Sequence, residues 1–280
     1  MSAADKLRVT VITVVCNGER FVESTIKSVL AQDYPDLEYI VIDGGSSDGT
    51  VEIIRRYAAR LNAWVSEPDQ GISDAFNKGI DRASGDYLMF LNADDELADA
   101  QALKRLVDCA RERNRPDVIY GDCDLYDADG AALLHRVAIE YNRARFLRGE
   151  VMPHPSMLTH RRYFEKYGRF DTSFKIAMDY DLFLRGIPEL GAIHAPVLVS
   201  KVRFGGISTR NRRLVVDEVI RALRRNGRLD SLGAARLRLT YAARGAARSA
   251  LETVGLYRLF SALRSRSARR AHGEKPESAT

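Results

Sequence analysis

Two adjacent carboxylates, Asp94 and Asp95, lie near the end of the stretch DYLMFLNADDEL, residues 86–97. The apolar run Tyr87 to Leu91 ahead of them predicts a buried strand, so the pair falls at a strand end. Adjacent like charges raise each other's pKa unless something positive lies between them. Paired hard oxygen ligands suit Mg²⁺ or Mn²⁺, which take one or two carboxylates and complete their shell with substrate phosphates. A divalent ion holding a diphosphate is therefore one chemistry open to this pair. The plainer role is a cap on the helix predicted within DDELADAQALKRL, which accounts for one carboxylate and leaves the other. Two more acids, Asp43 at the end of LEYIVID and Asp69 two residues after NAWVSE, close other strand-like runs.

The elements that must position these acids follow a regular rhythm. RVTVITVV, LEYIVID, NAWVSE and DYLMFLN read as strands. GERFVESTIKSVLAQ, GTVEIIRRYAARL and GISDAFNKGIDRAS between them have helical spacing. Such alternation predicts an α/β fold with a mostly parallel sheet flanked by helices. Ligands of such sheets sit at the carboxyl ends of the strands, where the acids fall. After a helix over Gln101–Arg113 the pattern changes. Two strands are expected in DVIYGDCDLYDADGAALLHRVAI, joined at the turn signal DADG. Short helices and loops broken by Pro153 and Pro155 come next. Then follow a helix in MDYDLFLRGIPEL, a strand in AIHAPVLVSKVRF and a mobile loop at GGISTR. From about Asn211 the chain reads as wholly helical.

Other motifs are set aside. Gly44, Gly45 and Gly49 do not fit G-x-G-x-x-G, and no G-K-[ST] exists. DLYDADG has Leu125 where a calcium loop needs its first Asp. GSSDG fits the G-x-S-x-G of a nucleophile elbow, with Ser47 as the nucleophile of an α/β serine hydrolase and His154 or His194 as its base. No HGGG-like oxyanion segment accompanies it, and a Gly/Ser/Asp-rich turn serves any strand-to-helix crossover.

The 280 residues allow one large domain or a domain with an appendage. No run of 18 apolar residues predicts a membrane span, and the N-terminus lacks the marks of a signal peptide. Cys16, Cys109 and Cys123 show no metal spacing and read as reduced thiols of a cytosolic protein. Residues 211–280 carry 16 Lys+Arg against 6 Asp+Glu, or +10, while residues 1–210 sum to −5. A basic amphipathic helical tail points to an anionic membrane surface. Nucleic acid is not expected, since no recognition motif is visible.

Over roughly Arg8 to Arg210 the chain resembles the inverting family 2 glycosyltransferases of the GT-A fold. The resemblance rests on ordered blocks: VTVITVVCNGERFVESTIKSVLAQDYPDLEYIVIDGGSSDGT, SEPDQGISDAFNKGIDRASGDYLMFLNADDEL, MPHPSML, GRFDTSFKIAMDYDLFLR and FGGIS. It implies transfer of a sugar from a nucleotide diphosphate sugar, UDP- or dTDP-linked, to an acceptor hydroxyl with Mn²⁺ or Mg²⁺. It implies that Asp43 takes the ring N–H of the base, that Thr13 and Asn17 line the nucleotide, and that Asp69 and Asp74 lie beneath it. Where the family writes Asp-x-Asp, this chain has Asn92 and Asp94. Asp94 then inherits the metal and donor role, with Asp95 beside it and Asn92 near the donor. Asp179 matches the catalytic base, with Asp181 its competitor two residues on. His154 matches a His-x-Ser/Thr block near the acceptor or metal.

The expected organisation is thus a GT-A catalytic domain over 1–210 and a basic amphipathic helical extension over 211–280. The partners expected are a nucleotide-sugar donor, a glycan or lipid-linked acceptor and an anionic membrane surface. The place is the cytoplasm, peripheral at the membrane, and the task is building cell-surface polysaccharide or glycolipid. The other reading within this fold, a nucleotide-sugar-binding protein without catalysis, is disfavoured by the joint presence of Asp94, Asp95 and Asp179.

Overall fold

The computed structural model describes residues 6–129, 133–137 and 140–253. Gly130 of the expected turn and residues 254–280 of the expected basic extension lie outside the described residues. The first strand, β1 (Val9–Val15), is followed by α1 (Val22–Leu30), β2 (Leu37–Asp43), α2 (Thr50–Tyr57), β3 (Ala63–Ser66), α3 (Ile72–Arg82) and β4 (Tyr87–Asn92). These strands pair in parallel, in the order β3-β2-β1-β4. β1 is buried on both faces: Val9, Val11 and Val15 enter one core layer, Ile12 and Val14 the other. That double burial is why it reads as an unbroken apolar run.

The second half of the sheet is mixed. It comprises β5 (Glu96–Leu97), α4 (Ala102–Glu112), β6 (Val118–Tyr126), β7 (Leu133–Val137), α5 (Arg143–Phe146), β8 (Met157–His160), α6 (Arg161–Tyr167), α7 (Met178–Arg185) and β9 (Ala192–Arg203). β8 pairs antiparallel with both β4 and β6, and β6 runs parallel to β9. Two of these strands escape a sequence reading. β5 is two residues long. β8 occupies four residues just past Pro153 and Pro155 and is held by its neighbours rather than by any periodicity.

GGISTR is not a plain loop: Ile207–Arg210 form a short helix, α8. Then come α9 (Arg212–Arg225) and α10 (Ser231–Thr253). α9 buries Val219, Ile220, Ala222 and Leu223 in the same core layer as Leu182 and Phe183 of α7. Among the described residues no helix is long and apolar enough to cross a membrane.

The chain runs from β1 through β2 to β3 on one side, then returns to place β4 on the other side of β1. The strand order therefore reverses between β1 and β4, the point where α/β sheets of this type open a crevice.

Candidate active site

A cleft of about 990 Å³ opens at that crevice. Its floor is the segment after β1, with Cys16, Asn17 and Gly18, and the segment that ends β4, with Asn92, Asp94 and Asp95. Asp69, Phe21, Arg203, His154 and Asp179 also line it.

Of the paired acids, Asp95 is the more tightly held. Asp95 is only 3% exposed. Its carboxylate accepts from Asn92 Nδ2 at 3.2 Å and from the backbone N–H of Arg203. Burial, and then the charge of Asp94, push its pKa well above the ordinary carboxylate range. Burial raises Asp94 as well, while the guanidinium groups of Arg203 and Arg210 pull the other way. The Arg203 guanidinium is braced by Glu96 at 2.9 Å and lies 4.6 Å from the centre of the Phe21 ring. So arginines supply part of the positive charge that the pair demands, and the acids remain hard to ionise. Among the described residues no third acid, His or Cys joins them as a metal cluster. Two hard carboxylates without further protein ligands fit a cation whose other ligands are phosphates and water, as Mg²⁺ and Mn²⁺ accept.

Asp179, the second residue of α7, is half-buried in the cleft, and burial raises its pKa. The charge of His154 would act the other way, but burial pushes the His154 pKa down. The His154 ring stacks on Phe90, with centroids 5.5 Å apart, and meets Phe76 edge-on. Asp181 points elsewhere. It is 1% exposed, within 3.3 Å of Arg185 Nε, and turned toward Asn226 just beyond α9. On a helix, residues two apart face different directions, and only Asp179 lines the cleft.

Three residues expected at the nucleotide do not line this cleft. Thr13 is fully buried among the side chains of the layer that holds Val9 and Val11, where its hydroxyl accepts from Tyr39 at 3.1 Å. Asp74 lies in the first turn of α3, accepting from the Gln70 N–H at 3.0 Å and pairing with Lys78 four residues on. Asp43 is 0% exposed. It accepts from the N–H groups of Gly45 and Ser46 and from the hydroxyls of Ser46 and Ser66. Three of these donors fall on Oδ2 and one on Oδ1. The acid that does face the cleft there is Asp69, with one oxygen accepting from the Gly71 N–H at 2.8 Å. Its other oxygen lies where a Cβ on Gly44 would be, so glycine is needed at that position. Asn17 adopts a left-handed backbone (φ 51°), donates its N–H to Ser46 Oγ and accepts from the Ser47 N–H.

Ser47 is no nucleophile of the expected kind. Its hydroxyl lies 3.4 Å from Asn17 Oδ1, while His194 bonds Asp122 and His154 sits among phenylalanines. Sequence reading missed Arg203, which reaches the acids only through the long-range pairing of β5 with β9. It also missed Glu218, a buried charge on the apolar face of α9. There the signal was present: an acid flanked by Val215, Val216 and Val219 in a basic segment.

Comparison with known proteins gives a consistent result. The profile of the family described as "Glycosyl transferase family 2" matches residues 10–173. An uncharacterized glycosyltransferase of Mycobacterium tuberculosis (strain CDC 1551 / Oshkosh) is 35% identical over 181 residues, covering 63% of this chain and 68% of the relative. A PGL/p-HBAD biosynthesis glycosyltransferase of Mycobacterium bovis (strain BCG / Pasteur 1173P2) is 29% identical over 209 residues, 71% and 78% of the two chains. Among solved structures, S. aureus TarS 1-349 in complex with UDP-GlcNAc superposes with a TM-score of 0.61 at 17% identity, covering 84% and 72%. The mannosyltransferase PcManGT of Pyrobaculum calidifontis, in complex with GDP-Man and Mn²⁺, gives 0.63 at 18%, covering 96% and 88%. At these identities the structural likeness is one of fold.

Proposed function

Because this chain belongs to glycosyl transferase family 2 and has the GT-A fold, we propose that it moves a sugar, with inversion, from a nucleoside diphosphate sugar to an acceptor hydroxyl. The observation that carries this reading is that Asp94, Asp95 and Asp179 line one cleft. The nucleoside lies toward Cys16, Asn17 and Asp69, and the diphosphate lies toward Asp94 and Asp95. The Asp69 carboxylate, which lines the cleft, is an acceptor for the ring N–H of uracil or thymine, whereas Asp43 holds the turn beside it. A Mn²⁺ or Mg²⁺ ion held by Asp94 and Asp95 would offset the negative charge that grows on the leaving diphosphate. Asn92 keeps the Asp95 carboxylate in place.

Asp179 is the general base. The acceptor oxygen bonds to the anomeric carbon as the bond from that carbon to the diphosphate breaks, and the hydroxyl proton passes to the Asp179 carboxylate. His154, packed on Phe90 and Phe76, is the cationisable neighbour of this acid. The acceptor side is more apolar, with Val151, Met152, Ile176 and Ile207. We assign the acceptor to cell-surface glycan or glycolipid building, a reading supported by the relative named for PGL/p-HBAD biosynthesis.

A panel of UDP-, dTDP- and GDP-sugars, each with Mn²⁺ or with chelator, tests the donor reading. Nucleotide release should require the cation and rise with added acceptor. Asp94→Asn should weaken nucleotide diphosphate binding in Mn²⁺ by at least the ~10–100-fold that loss of even an outer-shell partner costs a metal site. In chelator the variant and the native chain should bind alike. Equal affinity of the native chain with and without metal would refute metal-bridged binding.

We propose separately that the protein docks on an anionic membrane. Leu232 and Leu239 on α10 are 59% and 71% exposed, with Arg236 between them. Sedimentation with phosphatidylglycerol vesicles should retain the native chain at low salt and release it at high salt. The double variant Leu232→Asp, Leu239→Asp should stay in solution. If the native chain ignores vesicles, the membrane assignment falls and the transferase assignment stands.

A further inference from the structure

Glu218 of α9 is 4% exposed, and its carboxylate gathers three consecutive backbone N–H groups. Oε1 accepts from Lys175 at 2.9 Å, and Oε2 accepts from Ile176 at 2.8 Å and Ala177 at 2.9 Å. A buried carboxylate is costly unless it is hydrogen-bonded, and these three donors meet that demand. Ala177 is the residue at the start of α7 and has no side chain that could cap it. Asp179 follows two residues later. Residues 175–179 all line the cleft.

The grip extends along the same face of α9, at spacings of three and seven residues. The Arg221 guanidinium lies 3.9 Å from the centre of the Phe174 ring and donates to the Ser173 carbonyl at 2.9 Å. Arg225 pairs with Asp171. The segment that leads into Asp179 is therefore held from α9 at three points. α9 lies beyond residue 173, where the family match ends.

We propose that Glu218 is a positioning residue for transfer: it fixes the entry into α7 and so the direction of the Asp179 carboxylate. This rests on Asp179 as the base. Without the carboxylate, three adjacent N–H groups lose their common acceptor and the 175–177 backbone turns toward water. A shift of about 1 Å in a group at the reacting centre costs up to about 10²-fold in rate. None of Asp69, Asp94 and Asp95 bonds to Glu218, so donor binding has no reason to change.

The experiment compares Glu218→Gln, Glu218→Asp, Asp179→Asn and the double variant Glu218→Gln, Asp179→Asn. Readouts are affinity in Mn²⁺ for the nucleoside diphosphate of the donor that the panel selects (UDP for a UDP-sugar), thermal unfolding and nucleotide release from that sugar nucleotide, with water as acceptor. Gln cannot accept all three N–H groups through its single carbonyl, so kcat should fall ~10–10²-fold with nucleoside diphosphate affinity kept. Asp, which keeps the carboxylate, should recover part of the rate. In the Asp179→Asn background, Glu218→Gln should cost nothing further, because a residue that acts through another has no effect once the other is gone. Native kcat in Glu218→Gln overturns the proposal. So does a joint loss of nucleoside diphosphate affinity and rate, or an additive loss in the double variant, since each marks general loosening. Should the Gln variant fail to fold, Glu218→Asp is read in its place against the same background. Native turnover by Asp179→Asn alone would remove the base assignment and this proposal with it, a result visible before Glu218 is changed.

Discussion

Asp179→Asn should bind nucleotide diphosphate as tightly as the native chain and lose transfer by a factor on the order of 10²–10⁴, the range for removal of a general base. The substitution is nearly isosteric and leaves Asp69, Asp94 and Asp95 untouched. The native rate should fall as pH drops through the Asp179 pKa, which burial raises, because only the ionised carboxylate takes a proton. Asp94 and Asp95 also have raised pKa values, so with donor and cation saturating the variant should lose only the Asp179 share of that limb. Asp181→Asn is the control. Its carboxylate is buried beside Arg185 and outside the cleft, so the substitution should leave the rate per folded molecule close to native. Single-turnover nucleotide release across pH, together with calorimetric nucleoside diphosphate titration, separates the two. An active Asp179→Asn paired with a dead Asp181→Asn would move the base by two residues.

Ending the chain at Arg210 should leave no stable fold, although the resemblance to the family also ends there. The cut removes Val219, Ile220 and Leu223 from a core layer in which each is at most 2% exposed. Fully burying a side chain of this kind is worth about 1.5–3 kcal/mol, so the three together supply roughly 5–9 kcal/mol. Whole domains are stable by only about 5–15 kcal/mol. The cut also strips Glu218 from three N–H groups and uncovers Asp181. Urea unfolding followed by near-UV circular dichroism should show a broad, early transition, with dye binding to exposed apolar surface before denaturant is added. A cooperative transition at the native midpoint would mean that α9 is dispensable to the fold.

The readable parts of the chain were those fixed by neighbours in sequence. β1, β2 and β4 are apolar runs because both faces are covered, and Asp94–Asp95 stand out because adjacent acids are costly. The parity of β1 also held a clue: Thr13 shares the face of Val9 and Val11, away from the layer of Ile12 and Val14. Asp74 had its partner in view at Lys78, four residues on. What could not be read depended on contacts between distant segments. Ser66 bonds Asp43 from another strand, β9 delivers Arg203 to the acids, and β8 exists because β4 and β6 flank it. The stretch after Asn211 reads as basic and helical, yet nothing local says that one face of its first helix grips the approach to Asp179.

The setting of Asp179 bears on how this scaffold could be hardened. Its carboxyl ionises more readily in the unfolded chain, near about 3.9, than in the fold, where burial raises the value. Stability therefore falls as pH climbs from the unfolded value through the raised one, and it stays lower at neutral pH. A neutral Asn escapes that penalty. Directed evolution for heat resistance alone would thus drift toward chains that have traded the proton acceptor for robustness. Rounds of selection on this protein need turnover as a second criterion, because heat tolerance and turnover pull in opposite directions at this carboxylate, and at the buried Asp95 as well.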